Sequence, residues 1–390
     1  MMSRTKMATL AWMLSLAILA GCSGADNEER GSSPSPSASP TETIEPSLAP
    51  TEKPGASEEP AQSDDGESYA VLAEKLRIPW SIAIYGSEFI VTEREGNIVV
   101  IADGQQKRQN VRLEKAVLHR GEGGMLGLLL APDFDQSQLA YVYHTYEEGG
   151  KALNRIVQLK REGAEWSEQK ALLEGIPGSA NHNGGRLAIG PDGMLYATTG
   201  DAENRSEAQN RDSLAGKILR MTLDGDIPTD NPFTNSYVYS FGHRNPQGLA
   251  WTKDGSMYST EHGPSGNPGG HDEINVIQPG ANYGWPTVYG DDKKEGLTPP
   301  VYHTGDPAVA PSGTVIDDEG RLVIATLRGE AIYRYTPSSG EMEIIHKDEG
   351  RIRDVKLVGN KLYFITNNTD GRGGISSEAE DRLVVMDYPA

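Results

Sequence analysis

The chain has 390 residues, a formal charge of −20 and a single cysteine. So acidic a balance argues against a nucleic-acid partner, because nothing offsets repulsion from phosphate. With one cysteine, no intramolecular disulfide can form.

The first segment in chain order is a leader. Arg4 and Lys6 precede an apolar run from Ala8 to Ala20, and small residues follow. This is the layout of a secretory signal over residues 1–21, with an apolar run too short to span a bilayer as a mature helix. The run ends in Leu19-Ala20-Gly21-Cys22, which resembles a bacterial lipobox. Lipidation of Cys22 is therefore expected, with the protein exported and held by that anchor at the outer face of the cell membrane. Residues 22–67 are Ser, Pro, Glu, Thr and Gly with few large apolar side chains, a composition expected to form a disordered tether. Residues 68–390 remain for one large all-β domain.

From residue 70 onward, short β-rich runs recur. Six look alike: Phe89–Glu93, Leu139–Tyr143, Met194–Thr198, Met257–Thr260, Leu322–Thr326 and Lys361–Thr366. Asp192-Gly193, Asp254-Gly255 and Glu319-Gly320 precede three of them as turns. The spacing, about forty to sixty-odd residues, is that of a four-stranded propeller blade with its loops. Six units predict an all-β, six-bladed β-propeller. A β-sandwich or two smaller barrels would not call for so regular a recurrence. Propellers bind ligands where loops converge on one end of the central channel, so the loops beside these runs are read for chemistry.

The loop Asn181-His182-Asn183-Gly184-Gly185-Arg186 exposes an imidazole between small neighbours, and Gly200-Asp201 follows the next run. A histidine titrates near neutrality and can abstract a proton, and a carboxylate beside it would fix its tautomer. Phe241–Gly248 carries His243, Arg244, Asn245 and Gln247 between glycines, more polar groups than a turn requires. The stretch 261–286 is dense in glycine and proline around Asp272, Glu273 and Tyr283. Such backbone turns sharply and leaves carbonyl oxygens bare, which with a carboxylate pair suits a hard cation such as calcium. It does not match an EF-hand loop. Arg328, and Arg351 with Arg353 two residues on, form a cationic set in an acidic chain. The two readings are a local anion site and a solvated strand face.

Taken together, EGGMLGLLLAPDF (122–134), NHNGGRLAIGPDGMLYATTGD (181–201), LAGKILR (214–220), FGHRNPQGL (241–249), the pieces of 261–286, LRG (327–329) and GRIRDV (350–355) are similar to the soluble quinoprotein glucose/sorbosone dehydrogenase family. The resemblance implies a propeller holding pyrroloquinoline quinone (PQQ) over the channel mouth and oxidising aldose sugars at the anomeric carbon. It implies His182 as general base, Asp201 as its orienting acid, and Arg244 and Asn245 as contacts to cofactor and substrate. Arg328, Arg351 and Arg353 would hold the cofactor's carboxylates. Gly263 and Pro264 would offer carbonyls to a calcium beside PQQ, and Asp272, Glu273 and Tyr283 would hold a second, structural calcium. Glu122 stands where the glucose dehydrogenases carry a glutamine beside PQQ, Arg328 replaces a lysine and His262 a glutamine. A carboxylate there must be protonated, paired or turned away. Two other classes compete: a calcium-dependent propeller hydrolase such as a sugar lactonase, and a non-catalytic cell-surface binding propeller. Neither needs the cofactor-binding arginines. The physiological sugar and the electron acceptor are not legible.

Overall fold

The computed structural model describes residues 69–266, 269–372 and 381–389. The leader, Cys22 and the tether lie outside the described residues. Within them, 24 strands form six four-stranded blades over residues 79–112, 125–177, 187–241, 246–303, 311–347 and 352–387, the last completed by Tyr69–Leu76. The expected six-bladed propeller is the observed fold.

Blades 3 to 6 are separate antiparallel sheets. Blades 1 and 2 are fused, because their outer strands pair in parallel from Asn110↔Glu165 to Arg112↔Ser167. The ring closes where Tyr69–Leu76 pairs antiparallel with Asp381–Asp387, starting at Tyr69↔Met386. The first and last described strands thus share one blade, with Tyr69–Leu76 as its outer strand.

All six look-alike runs fall on the second strand of their blades. Second strands are covered on both faces, so their sequences are β-branched, aromatic and small throughout. Leu195–Thr199, Met257–Glu261 and Leu322–Thr326 are buried at every residue. Adjacent blades pack through these faces. Between blades 5 and 6, Phe364, Ile352, Val323, Ile332 and Val384 are fully buried. Truncating Phe364 to alanine would cost about 3–5 kcal/mol.

The turns joining first to second strands set the polarity of the ring. Gly193, Gly255 and Gly320 sit there at φ +75°, +89° and +81° with open space around them, so backbone conformation alone selects glycine. The opposite ends of those strands, where first strands begin and second strands finish, carry every candidate site residue that lines the channel mouth.

Candidate active site

His182 precedes the inner strand Leu187–Ile189 of blade 3, and Asp201 follows its second strand Leu195–Thr199. Blade geometry therefore brings them to one edge of the channel mouth. His182 Nδ1 lies 2.7 Å from Asp201 Oδ1. Asp201 is fully buried, and its other oxygen accepts the Trp285 indole N–H at 2.8 Å. Burial alone would raise its pKa. The bonds from His182, Trp285 and the Glu203 N–H outweigh burial and hold the carboxyl below its ordinary range. An ionised Asp201 can only accept, so His182 carries its proton on Nδ1 and keeps the Nε2 lone pair. The loop is tight. His182 sits at φ +58°, and a Cβ on Gly200 would come within 2.0 Å of the His182 carbonyl oxygen.

Beside this pair lies a cavity of about 220 Å³ whose lining includes Glu122, Arg244, Gly263, Pro264, Asp272, Arg328, Arg351, Arg353 and Arg372. Asn183 and Gly184, next to His182, also line it. Five guanidinium groups against two carboxylates make a local anion site in an acidic protein. Arg351 is held by Leu327 O and by Asp370 Oδ2 at 2.8 Å, and Arg353 by Gln247 Oε1 at 2.8 Å. Both are buried, and burial pushes Arg353 down to about 9. Arg328 is exposed at the same mouth. On the other wall, Arg244 lies over the Trp285 ring at 5.4 Å and donates to Ser265 Oγ and His262 O. Asn245, fully buried, accepts the Gly184 N–H at 3.0 Å. Arg244 Nε, Arg351 Nε, Asn245 Nδ2 and His262 Nε2 are buried without partners among the described residues. Unpaired polar atoms of this kind, the arginine and asparagine donors above all, fit a polar, anionic ligand in the cavity.

Glu122 is paired. One oxygen accepts the His182 N–H at 2.8 Å and the other the Arg372 guanidinium. Burial opposes its ionisation, but Arg372, His262 and His182 overcome this and bring it to about 2.

The proposed metal ligands divide differently from the sequence expectation. Asp272 belongs with Gly263: its Oδ1 accepts the Gly263 N–H at 2.8 Å, and Oδ2 accepts Val309 and Ala310 N–H at 2.6 and 2.7 Å. Glu273 makes separate contacts, with Gly290 N–H at 2.9 Å and Asn275 at 3.1 Å. The Tyr283 hydroxyl donates to Val276 O at 2.6 Å, so it is spent on backbone. Asp272, Glu273 and Tyr283 therefore do not converge through their side chains. Strand pairing sets Glu273 opposite Glu261 instead. Burial first, and Glu261 second, push Glu273 up to about 8. Among the described residues no three His, Cys, Asp or Glu side chains gather as a metal cluster, so an ion here would have to draw on backbone carbonyls as well.

A model of the glucose/sorbosone dehydrogenase family matches residues 76–376. The chain belongs to that family. The aldose sugar dehydrogenase YliI of Escherichia coli is 31% identical to it over 340 residues, covering 77% of this chain and 90% of that one. Quinoprotein glucose dehydrogenase B of Acinetobacter calcoaceticus is 36% identical over 200 residues, covering 44% and 41%. The PQQ-bound aldose sugar dehydrogenase of Streptomyces coelicolor superposes with a TM-score of 0.73 at 35% identity, over 84% of this chain and 99% of that one. Family members thus include sugar oxidoreductases and a quinoprotein.

Four residues of this dehydrogenase-family site escaped the sequence reading as site residues. Trp285 donates to Asp201, and Arg205 and Arg244 each lie over its ring, 5.4 Å from the centroid. Glu261 accepts from His243 Nδ1 at 2.9 Å and from the Arg244 N–H. Arg94 is buried under the loop of Glu122, donating to Gly121 O and Gly123 O. Arg372 pairs with Glu122 from the far end of the chain. Glu261 and Trp285 at least bound the glycine-rich stretch. Arg94 and Arg372 carry no sequence signal.

Proposed function

We propose that this protein oxidises aldose sugars to lactones at the anomeric carbon, using bound PQQ with calcium beside it. The observation that carries the reading is a histidine oriented by a buried carboxylate beside a cavity walled by arginines. The arginines and their unpaired donors suit the cofactor's carboxylates, to which a guanidinium can give two parallel hydrogen bonds. PQQ, when bound, supplies the two-electron acceptor for the hydride leaving the sugar carbon.

The protein's own residues handle the proton. Asp201 keeps Nδ1 protonated, so Nε2 takes the proton of the anomeric hydroxyl. The imidazolium that forms lies 2.7 Å from an ionised, buried acid, which stabilises it most as the proton arrives. Arg244 offers fixed positive charge on the same wall, where charge develops in the transition state. Calcium would be held by the carbonyls of Gly263 and Pro264, the Asp272 bonds fixing that turn. A Cβ at Gly263 would come within 2.2 Å of Gly270 O, so the turn admits only glycine. Export and lipidation at Cys22 belong to the same proposal, and acyl labelling lost in Cys22→Ser would support them.

The deciding experiment gives the purified full chain PQQ and calcium and follows dye reduction across a panel of aldoses. Turnover with aldoses and tight PQQ binding are expected. Absence of both would sink the reading and return the choice to a hydrolase or a binding propeller.

A further inference from the structure

The connection after the strand Lys361–Thr366 carries Arg372 across the channel mouth to residues of two other blades. Arg372 Nη1 donates to Glu122, and Nη2 donates to Asn181 Oδ1 at 2.7 Å. The second Glu122 oxygen accepts the backbone N–H of His182 at 2.8 Å. Asn181 in turn donates to Glu203, which also accepts the Ser179 hydroxyl. The histidine loop is thus gripped on its backbone and on its neighbouring side chains by segments distant in sequence.

That grip answers a local difficulty. His182 occupies left-handed backbone, which a side chain with a β-carbon disfavours. Such a conformation persists only where its surroundings impose it. It answers an electrostatic one as well. A lone carboxylate here would compete with an anionic ligand for the arginines, whereas an ion pair adds an anchor without changing the cavity's net charge.

We propose that Glu122 and Arg372 are positioning residues for His182, and that Glu122 grips the base's loop rather than the cofactor. The proposal rests on the dehydrogenase reading only for its kinetic consequence. The Arg372 side chain is 37% exposed, so solvent screens the pair and the expected effect is moderate.

The test uses the full chain and the variants Arg372→Gln, Arg372→Lys, Glu122→Gln and the double Glu122→Gln/Arg372→Gln. Deuterium exchange of the peptide spanning residues 179–185 is measured without cofactor, and kcat, KM and PQQ affinity with it. Arg372→Gln is expected to speed exchange of that peptide about tenfold. It should lower kcat by a similar factor, and in the double variant, which leaves no lone carboxylate, KM and PQQ affinity should stay within about twofold of the wild type. Arg372→Lys should recover most of kcat, and the double variant should be no worse than either single one. Unchanged exchange in Arg372→Gln would overturn the proposal. So would weakened PQQ binding with exchange unaltered, which would make the pair a cofactor contact. If the wild type oxidises no sugar, the dehydrogenase reading fails while the exchange arm still decides the clamp.

Discussion

The two walls of the cavity are built from different materials. The wall of blades 3 and 4 carries His182, Asp201 and Trp285 on loops of unusual backbone, with the His182 and Trp285 rings both held by the Asp201 carboxylate. The wall of blades 5 and 6 carries Arg351 and Arg353 at the start of an inner strand, buried and held by side-chain and carbonyl oxygens. The first wall controls where one proton sits; the second concentrates positive charge. The difference teaches that rate and affinity should separate by wall: damage to the first should slow turnover, and damage to the second should loosen the ligand.

The sharpest way to break that division is His182→Ala. Turnover should fall about 10²–10⁴-fold, the usual worth of a positioned base, with PQQ affinity nearly unchanged in an equilibrium titration. Survival of activity would move the base elsewhere. Asp201→Asn should cost on the order of 10²-fold in kcat, because a carboxamide no longer fixes the tautomer or stabilises the imidazolium. Its stability against pH should change too. Asp201 is held below the ordinary carboxylate range, so its contribution is present above that range and lost as pH falls through the folded value. The stability that Asp201 contributes should therefore persist to lower pH than an ordinary carboxylate would allow, read as Tm against pH, and Asp201→Asn should lose it.

On the opposite wall, Arg353→Gln should weaken PQQ binding about 10–100-fold, as expected for one lost charge-assisted pair. The kcat at saturating cofactor should change far less. A fall in kcat with unchanged affinity would erase the distinction between the walls.

The distinction was only half legible in the sequence. Second strands announced themselves because both their faces are covered, which forces a uniform apolar and β-branched run. Outer strands did not: Gln105–Arg112 reads QQKRQNVR and is largely exposed, and Tyr302–His303 spans two residues. The glycine-flanked loops of His182 and Arg244 were legible because close backbone approaches demand their composition. The residues that hold them were not. Trp285 meets Asp201 across 84 residues, and Arg372 meets Glu122 across 250. Packing of neighbouring blades brings the first pair together and closing the ring the second, and no local pattern encodes either. The acidic residues of the glycine-rich stretch show the opposite failure. Adjacent in sequence, Asp272 and Glu273 looked like a pair, but strand pairing gave Glu273 to Glu261.

That last pair supplies the smallest predicted effect and tests whether the proton-handling wall leans on an ion. Glu261 accepts from His243 and from the Arg244 N–H, so it braces that wall from behind. Glu273 stands opposite it with its pKa raised from the ordinary 4.5 to about 8, by burial and then by Glu261. A raised acid is stabilising while protonated. Its contribution is complete below about pH 4.5 and is lost as pH rises toward 8, where the unfolded chain ionises freely and the fold resists. Without calcium, the Tm should therefore fall by a few degrees between pH 5 and pH 8, and Glu273→Gln should flatten that slope. A cation near the pair would replace the missing proton, so calcium should raise the Tm more at pH 8 than at pH 5. Equal effects at both pH values would place the ion away from Glu273, leaving the wall braced by Glu261 alone.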